Sequence, residues 1–123
     1  MSMLFSFEKL DVWHEARKFY KIIHKVISEL PHHERYVICT QLQRAALSVS
    51  ANIAEGTSRK TGKDQAHFTS IAFSSLMECL NYTILSNDLN YISIEQYDEL
   101  RQLIEKISNQ LNALRNYQMS KIG

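Results

Sequence analysis

Three groups of residues in this 123-residue chain have the types and spacing to do chemistry. The first is a polar stripe. Gln41, Arg44, Ser48, Asn52 and Glu55 recur at intervals of three, four, four and three, which puts them in one narrow row on an α-helix. Ile38, Leu42, Ala45, Ala46, Val49 and Ile53 form a broad apolar face of the same helix, beside the stripe and not opposite it. A solvated face is more usually built from Lys and Glu. Amide, hydroxyl and single charges at a core boundary are the composition of a hydrogen-bonded network at a helix–helix or subunit contact. In such a network Arg44 pairs with Glu55 through Ser48 and Asn52, or with Glu78 on a facing helix, because a buried guanidinium without a carboxylate is very costly. The other reading is a stripe that lines a groove for a ligand or RNA. The second and third groups are basic: Arg17, Lys18, Lys21 and Lys25, then Arg59, Lys60 and Lys63. Each set is either solvated charge or a phosphate contact, which is electrostatic and largely blind to sequence. Phe19 and Tyr20, between Lys18 and Lys21 in sequence, belong to the apolar side of that helix and not to the basic row, so base stacking is not signalled.

Catalytic and metal chemistry finds no matching pattern. Di-iron bundles need Glu-x-x-His from two helices, and the one instance here, Glu29-Leu-Pro31-His32, is broken by proline. There is no His-Glu-x-x-His and no Cys-x-x-Cys. The segment from Gly56 to Lys63 and Asp64 is superficially similar to a phosphate-binding loop. It has five residues between its glycines where four are required, Asp where Ser or Thr must hold magnesium, and no strand before it. His32 and His33 read as a surface turn, and Cys39 and Cys79 as small buried hydrophobes within helices. The expectation is therefore a protein that is not an enzyme, with no catalytic residues, no metal and no cofactor.

The elements that position these groups are helical. Gly is 3 and Pro is 1, too few turn residues for an all-β fold, and 45% of residues are hydrophobic, enough for one core in a single domain spanning 1–123. Apolar periodicity predicts helices over about 9–30, 33–55, 64–87 and 94–119. Pro31 ends the first, since a residue before proline is pushed out of the α region. Gly56 is a plausible left-handed terminator of the second, and 57–63 read as a loop. Ser93 and Gln96 form a capping box at the start of the fourth, whose Tyr97, Leu100, Ile104, Ile107, Leu111 and Leu114 step as a bundle seam. The third is apolar over most of its circumference, which suggests burial on more than one side and a further partner such as another subunit. Short links make helices one–two and three–four antiparallel neighbours. The architecture predicted is an all-α, antiparallel up-down four-helix bundle. No basic-then-apolar signal and no membrane-length apolar run are present, so a cytoplasmic protein with no membrane partner is expected. The net charge is +1, with 10 Lys/Arg against 6 Asp/Glu in 1–63 and 4 against 7 in 64–123.

Several stretches also carry a family resemblance: Leu10-Asp-Val12-Trp13-His-Glu-Ala16, Pro31-His-His-Glu34-Arg-Tyr36, the 41–56 block with Arg44, Ser48, Asn52, Glu55 and Gly56, then Arg59 and 68–78. With these, nearly the whole chain resembles the 23S rRNA intervening-sequence proteins, a family of four-helix bundles, and is similar to retroelement accessory proteins of the accessory-variability-determinant type. The resemblance implies a homo-oligomer, a pentameric ring as in the retroelement proteins. It also implies a role in binding structured RNA or DNA, or in joining nucleic acid to a protein partner. A protein–protein scaffold or adaptor with no nucleic-acid role is the competing class.

Overall fold

The computed structural model describes residues 2–121. A 3-10 turn, Ser6–Lys9, leads into four helices: α1 (Asp11–Glu29), α2 (Ile38–Thr57), α3 (Gly62–Asp88) and α4 (Ile94–Met119). Helix α2 packs most extensively on α3 and α3 on α4, with α1 against α2 and, less closely, α4. The order around the bundle is therefore α1, α2, α3, α4, with α1 and α3 on the diagonal. This is the expected all-α antiparallel four-helix bundle.

The apolar periodicities reach the core as their spacing requires. Ile38, Leu42, Ala45, Ala46, Val49 and Ile53 of α2 are all buried, as are Leu100, Ile104, Ile107 and Leu111 of α4. In α1 the centre of the face lies at Val12, Ala16, Phe19, Ile23 and Val26, with Trp13, Tyr20 and Ile27 half-buried beside it. The Ser93 hydroxyl accepts from the Gln96 amide (3.1 Å), and the Gln96 side chain accepts from the Ser93 amide (2.8 Å). Both orphan donors at the start of α4 are thus satisfied.

Helix α3 differs from its prediction in an instructive way. Its buried face holds Gly62, Ala66, Thr69, Ala72, Ser75, Cys79, Thr83 and Ser86, with Leu76 the one large side chain. Its bulky residues flank that face: Phe68 lies toward α2, against Gly56, and Phe73 toward α4, near Leu111. Much of the wide apolar circumference is taken up by the two neighbouring helices, so breadth alone calls for no further subunit. Leu85, 41% exposed, is the exception.

Three boundaries are corrected. Helix α2 starts at Ile38 and not near 33, because His32–Glu34 form a 3-10 turn and Val37 (φ −118°, ψ −93°) is non-helical. Gly56 does not terminate α2; it lies inside the helix, where an added Cβ would meet Phe68 Cβ at 3.0 Å and the Gln65 carbonyl at 3.2 Å. Gly62 opens α3, where an added Cβ would strike the Gln118 carbonyl oxygen of α4 and come 2.9 Å from Lys121 Cβ. Both glycines exist for close helix approach, and neither belongs to an anion-binding loop.

Both thiols are buried, and burial pushes Cys79 up to about 12. Cys39 is also raised, by desolvation first and then by the Glu34 carboxylate.

Two outcomes follow for stability. Gly62→Ala forces the end of α4 away from α3 and destabilises the chain by about 1–3 kcal/mol, read as a lower urea midpoint. The folded pKa of Cys79 lies above its unfolded value of about 8.5. The neutral thiol's contribution is therefore complete below about pH 8.5 and lost as pH rises toward the folded value. Cys79→Ala flattens the fall of unfolding free energy across that alkaline range, measured by urea denaturation at a series of pH values.

Candidate nucleic-acid interface

Arg17, Lys18, Lys21 and Lys25 are all exposed on α1. With His14 and Ile22 they line one shallow depression along the helix. Among the described residues, none of the four forms an ion pair within 4.0 Å. The carboxylate nearest in sequence, Glu15, turns to α4 and pairs with Lys106 at 3.0 Å. The Arg17 guanidinium lies 5.5 Å from the centre of the Trp13 ring, which stiffens it without cancelling its charge. Four uncompensated cations within nine residues of one helix make a compact positive ridge.

The second basic group behaves differently. Arg59 Nη2 donates to Glu55 Oε1 (2.8 Å), its Nε is 3.9 Å from Asp64 Oδ2, and its guanidinium stacks 4.5 Å from the Phe68 ring centre. Its own carbonyl accepts from Gln65 Nε2 (2.9 Å). Arg59 therefore clasps the α2–α3 turn. Lys60 and Lys63 stay exposed, but Lys63 lies in the first turn of α3, the helix diagonal to α1. The two basic groups do not merge into one face.

The polar stripe divides in the same manner. Ser48 Oγ and Ser75 Oγ share a hydrogen bond of 2.8 Å, and Asn52 Nδ2 donates to the Ser48 carbonyl (2.8 Å) and hydroxyl (2.9 Å). This is a network at the α2–α3 boundary. Arg44 lies outside it. It is exposed and, among the described residues, pairs with neither Glu55, which holds Arg59, nor Glu78, which is itself exposed. The expected Arg44–Glu55 or Arg44–Glu78 pair fails because the guanidinium is in water, where no partner is obligatory. Gln41 is exposed too, and its side chain takes no part in the network.

Three contacts had no local signal in sequence. Thr69 Oγ1 donates to Gln118 Oε1 (2.6 Å) across 49 residues, fully buried between α3 and α4. Tyr91 donates to Glu34 Oε2 (2.7 Å) across 57 residues, joining the α1–α2 and α3–α4 turns. That bond holds the Tyr91 phenol above its ordinary pKa. His33 Nε2 lies 3.2 Å from the same hydroxyl, and His32 is exposed. Among the described residues, no three His, Cys, Asp or Glu side chains are grouped to hold a metal ion. No helix among them is long and apolar enough to cross a membrane.

The network and the exposed pair should respond differently to substitution. Ser48→Ala removes the hydroxyl shared by Ser75 and Asn52 and costs about 1 kcal/mol in thermal or urea unfolding. Glu55→Gln, which only loosens the exposed pair with Arg59, costs about 0.3–0.5 kcal/mol.

The fold has a close relative among solved structures, a protein of unknown function from the S23 ribosomal protein family of Bacteroides thetaiotaomicron. The two share 23% identity, with a TM-score of 0.79 over 85% of this chain and 97% of that one. No curated protein matches the chain. The family model for the 23S rRNA-intervening sequence protein matches residues 8–113, which takes in all of α1 to α3 and most of α4. The chain belongs to the 23S rRNA-intervening sequence protein family.

Proposed function

We propose that this is a non-enzymatic, homo-oligomeric protein that binds the backbone of structured RNA or other nucleic acid through α1. The observation that carries the reading is the ridge of Arg17, Lys18, Lys21 and Lys25, exposed on one helix and free of ion pairs among the described residues. Glu15 is drawn to Lys106, although it and Glu99 of α4 share a second depression with Lys18 at the edge of the ridge. Lys60 and Lys63 are auxiliary contacts at most, and Arg59 is a structural residue of the turn.

Such a ridge recognises phosphate charge and not base identity, since it offers no aromatic platform between its cations. One protomer binds weakly. A homo-oligomer repeats the ridge and gains avidity with no stronger single contact. A pentameric ring, as the family resemblance implies, would present five copies. The second reading, a protein scaffold with no nucleic-acid role, is favoured by Arg59, whose charge is already met by Glu55 and Asp64.

Titration of the purified protein into a structured RNA and a random duplex separates the two. Four phosphate contacts on a duplex give log K falling against log salt with a slope of about −3.6 per protomer. Reversing Lys18, Lys21 and Lys25 to Glu abolishes the binding, while reversing Lys60 and Lys63 weakens it only slightly. Absence of binding at low salt, or binding indifferent to the α1 reversal, leaves the scaffold reading in place.

A further inference from the structure

The α1 ridge has unlike borders. On the α4 side Lys18 shares a depression with Glu15 and Glu99, and Glu99 is exposed with no ion-pair partner among the described residues. On the α2 side that acidic edge has no counterpart, since α2 carries no Asp or Glu before Glu55. The flank of α1 on this side is aromatic. Trp13 and Tyr20 are half-buried there, two helical turns apart, and the Tyr20 hydroxyl accepts from Gln43 Nε2 of α2 (3.2 Å). A polyanion drawn to the ridge is repelled at the α4 border and spreads toward the α2 border.

Arg17 stands at that second border. It is four residues after Trp13 and three before Tyr20, and its guanidinium lies over the indole, 5.5 Å from the ring centre. It is the one arginine of the ridge; Lys18, Lys21 and Lys25 are lysines. The difference is chemical. A lysine ammonium is a compact, strongly hydrated point charge, whereas a guanidinium is planar, weakly hydrated and stacks on flat rings. Arg59 makes a similar contact with Phe68, but Glu55 and Asp64 engage its nitrogens. Arg17 is exposed and, among the described residues, has no acid within 4.0 Å. With the indole against one side of the guanidinium, the opposite side is open.

We infer that Arg17 is a stacking residue: its open face receives one unpaired base while Lys18, Lys21 and Lys25 hold the phosphates beside it. Lys21 and Lys25 lie about 6 and 12 Å farther along α1, so a backbone that follows the cations passes Arg17 at one end of its path. The ligand class narrows to nucleic acid with a splayed-out base next to its charged backbone, such as a hairpin loop or a bulge. In a blunt duplex the base faces are taken up within the stack. Arg17 tells loop from duplex and not one base from another, since every base has a π-face. Trp13 is a positioning residue, which holds the guanidinium so that little side-chain freedom is lost on stacking. This role of Arg17 rests on the phosphate-binding reading and refines it.

Three RNA probes with equal numbers of phosphates test it at one salt concentration by fluorescence anisotropy: a hairpin with an unpaired loop, the same hairpin with abasic loop positions, and a blunt duplex. The unaltered chain binds the intact hairpin about tenfold or more tightly than the abasic hairpin or the duplex. Arg17→Lys keeps the charge and removes the plane. It brings the intact hairpin down to the level of the abasic one, with the slope against log salt unchanged. Equal affinity of the unaltered chain for intact and abasic hairpins, or an undiminished preference in Arg17→Lys, overturns the inference and leaves the phosphate ridge standing. No binding to any probe at low salt overturns both. An arginine that served only to pack on Trp13 would show itself as a lower melting temperature in Arg17→Lys with the hairpin preference intact. The abasic comparison uses the unaltered chain, so it decides the matter even if the variant proves unstable.

Discussion

The close approach of α2 and α3 governs the rest of this bundle. Two helices come together only as near as the side chains between them allow. Here the buried face of α3 is built from Ala, Ser, Thr, Cys and Gly with a single leucine, and α2 meets α3 through Ser48 and Gly56. The nearness has consequences on both sides of the contact. Hydroxyls at Ser48 and Ser75 are brought to 2.8 Å, so a polar pair tolerates partial burial. Bulk is displaced to the flanks of α3, where Phe68 and Phe73 reach sideways to α2 and α4. A β-carbon at Gly56 would press on Phe68 at 3.0 Å, which is why glycine sits in mid-helix despite its poor helix propensity.

How much of this was legible in the sequence depended on the range of the interaction. The α2 apolar face, the α4 seam and the Ser93–Gln96 box rest on spacings of three and four residues, and all were read correctly. Helix α3 was harder because its buried face is made of small and hydroxylated residues, which periodicity arguments discount, while its large residues are the flanks. The glycines misled for a related reason. Gly56 carries the usual mark of a helix terminator, and only the position of Phe68 shows that space and not dihedral freedom is what it supplies.

The candidate sites divide along the same line. That α1 carries an exposed basic row follows from its own sequence. Whether each cation keeps its charge depends on distant partners: Lys106 removes Glu15 from the ridge across 91 residues, whereas Glu55 and Asp64 compensate Arg59 locally. Likewise, the stripe around Arg44 was recognisable as one row, but its separation into a bonded inner half and an exposed outer half depends on how near α3 comes. The result is a bundle with two unlike surfaces, charge along α1 and α4 and a mixed amide and aliphatic rim along α2 and α3.

The buried bond between Thr69 and Gln118, together with the seating of Gly62 on the Gln118 carbonyl, has a dynamic consequence. The α3–α4 hairpin is closed at its base as well as at its turn. The final turn of α4 cannot fray alone, since its opening also uncovers the first turn of α3. Amide protons at these two remote stretches therefore exchange with solvent through one shared local opening, as a single small cooperative unit.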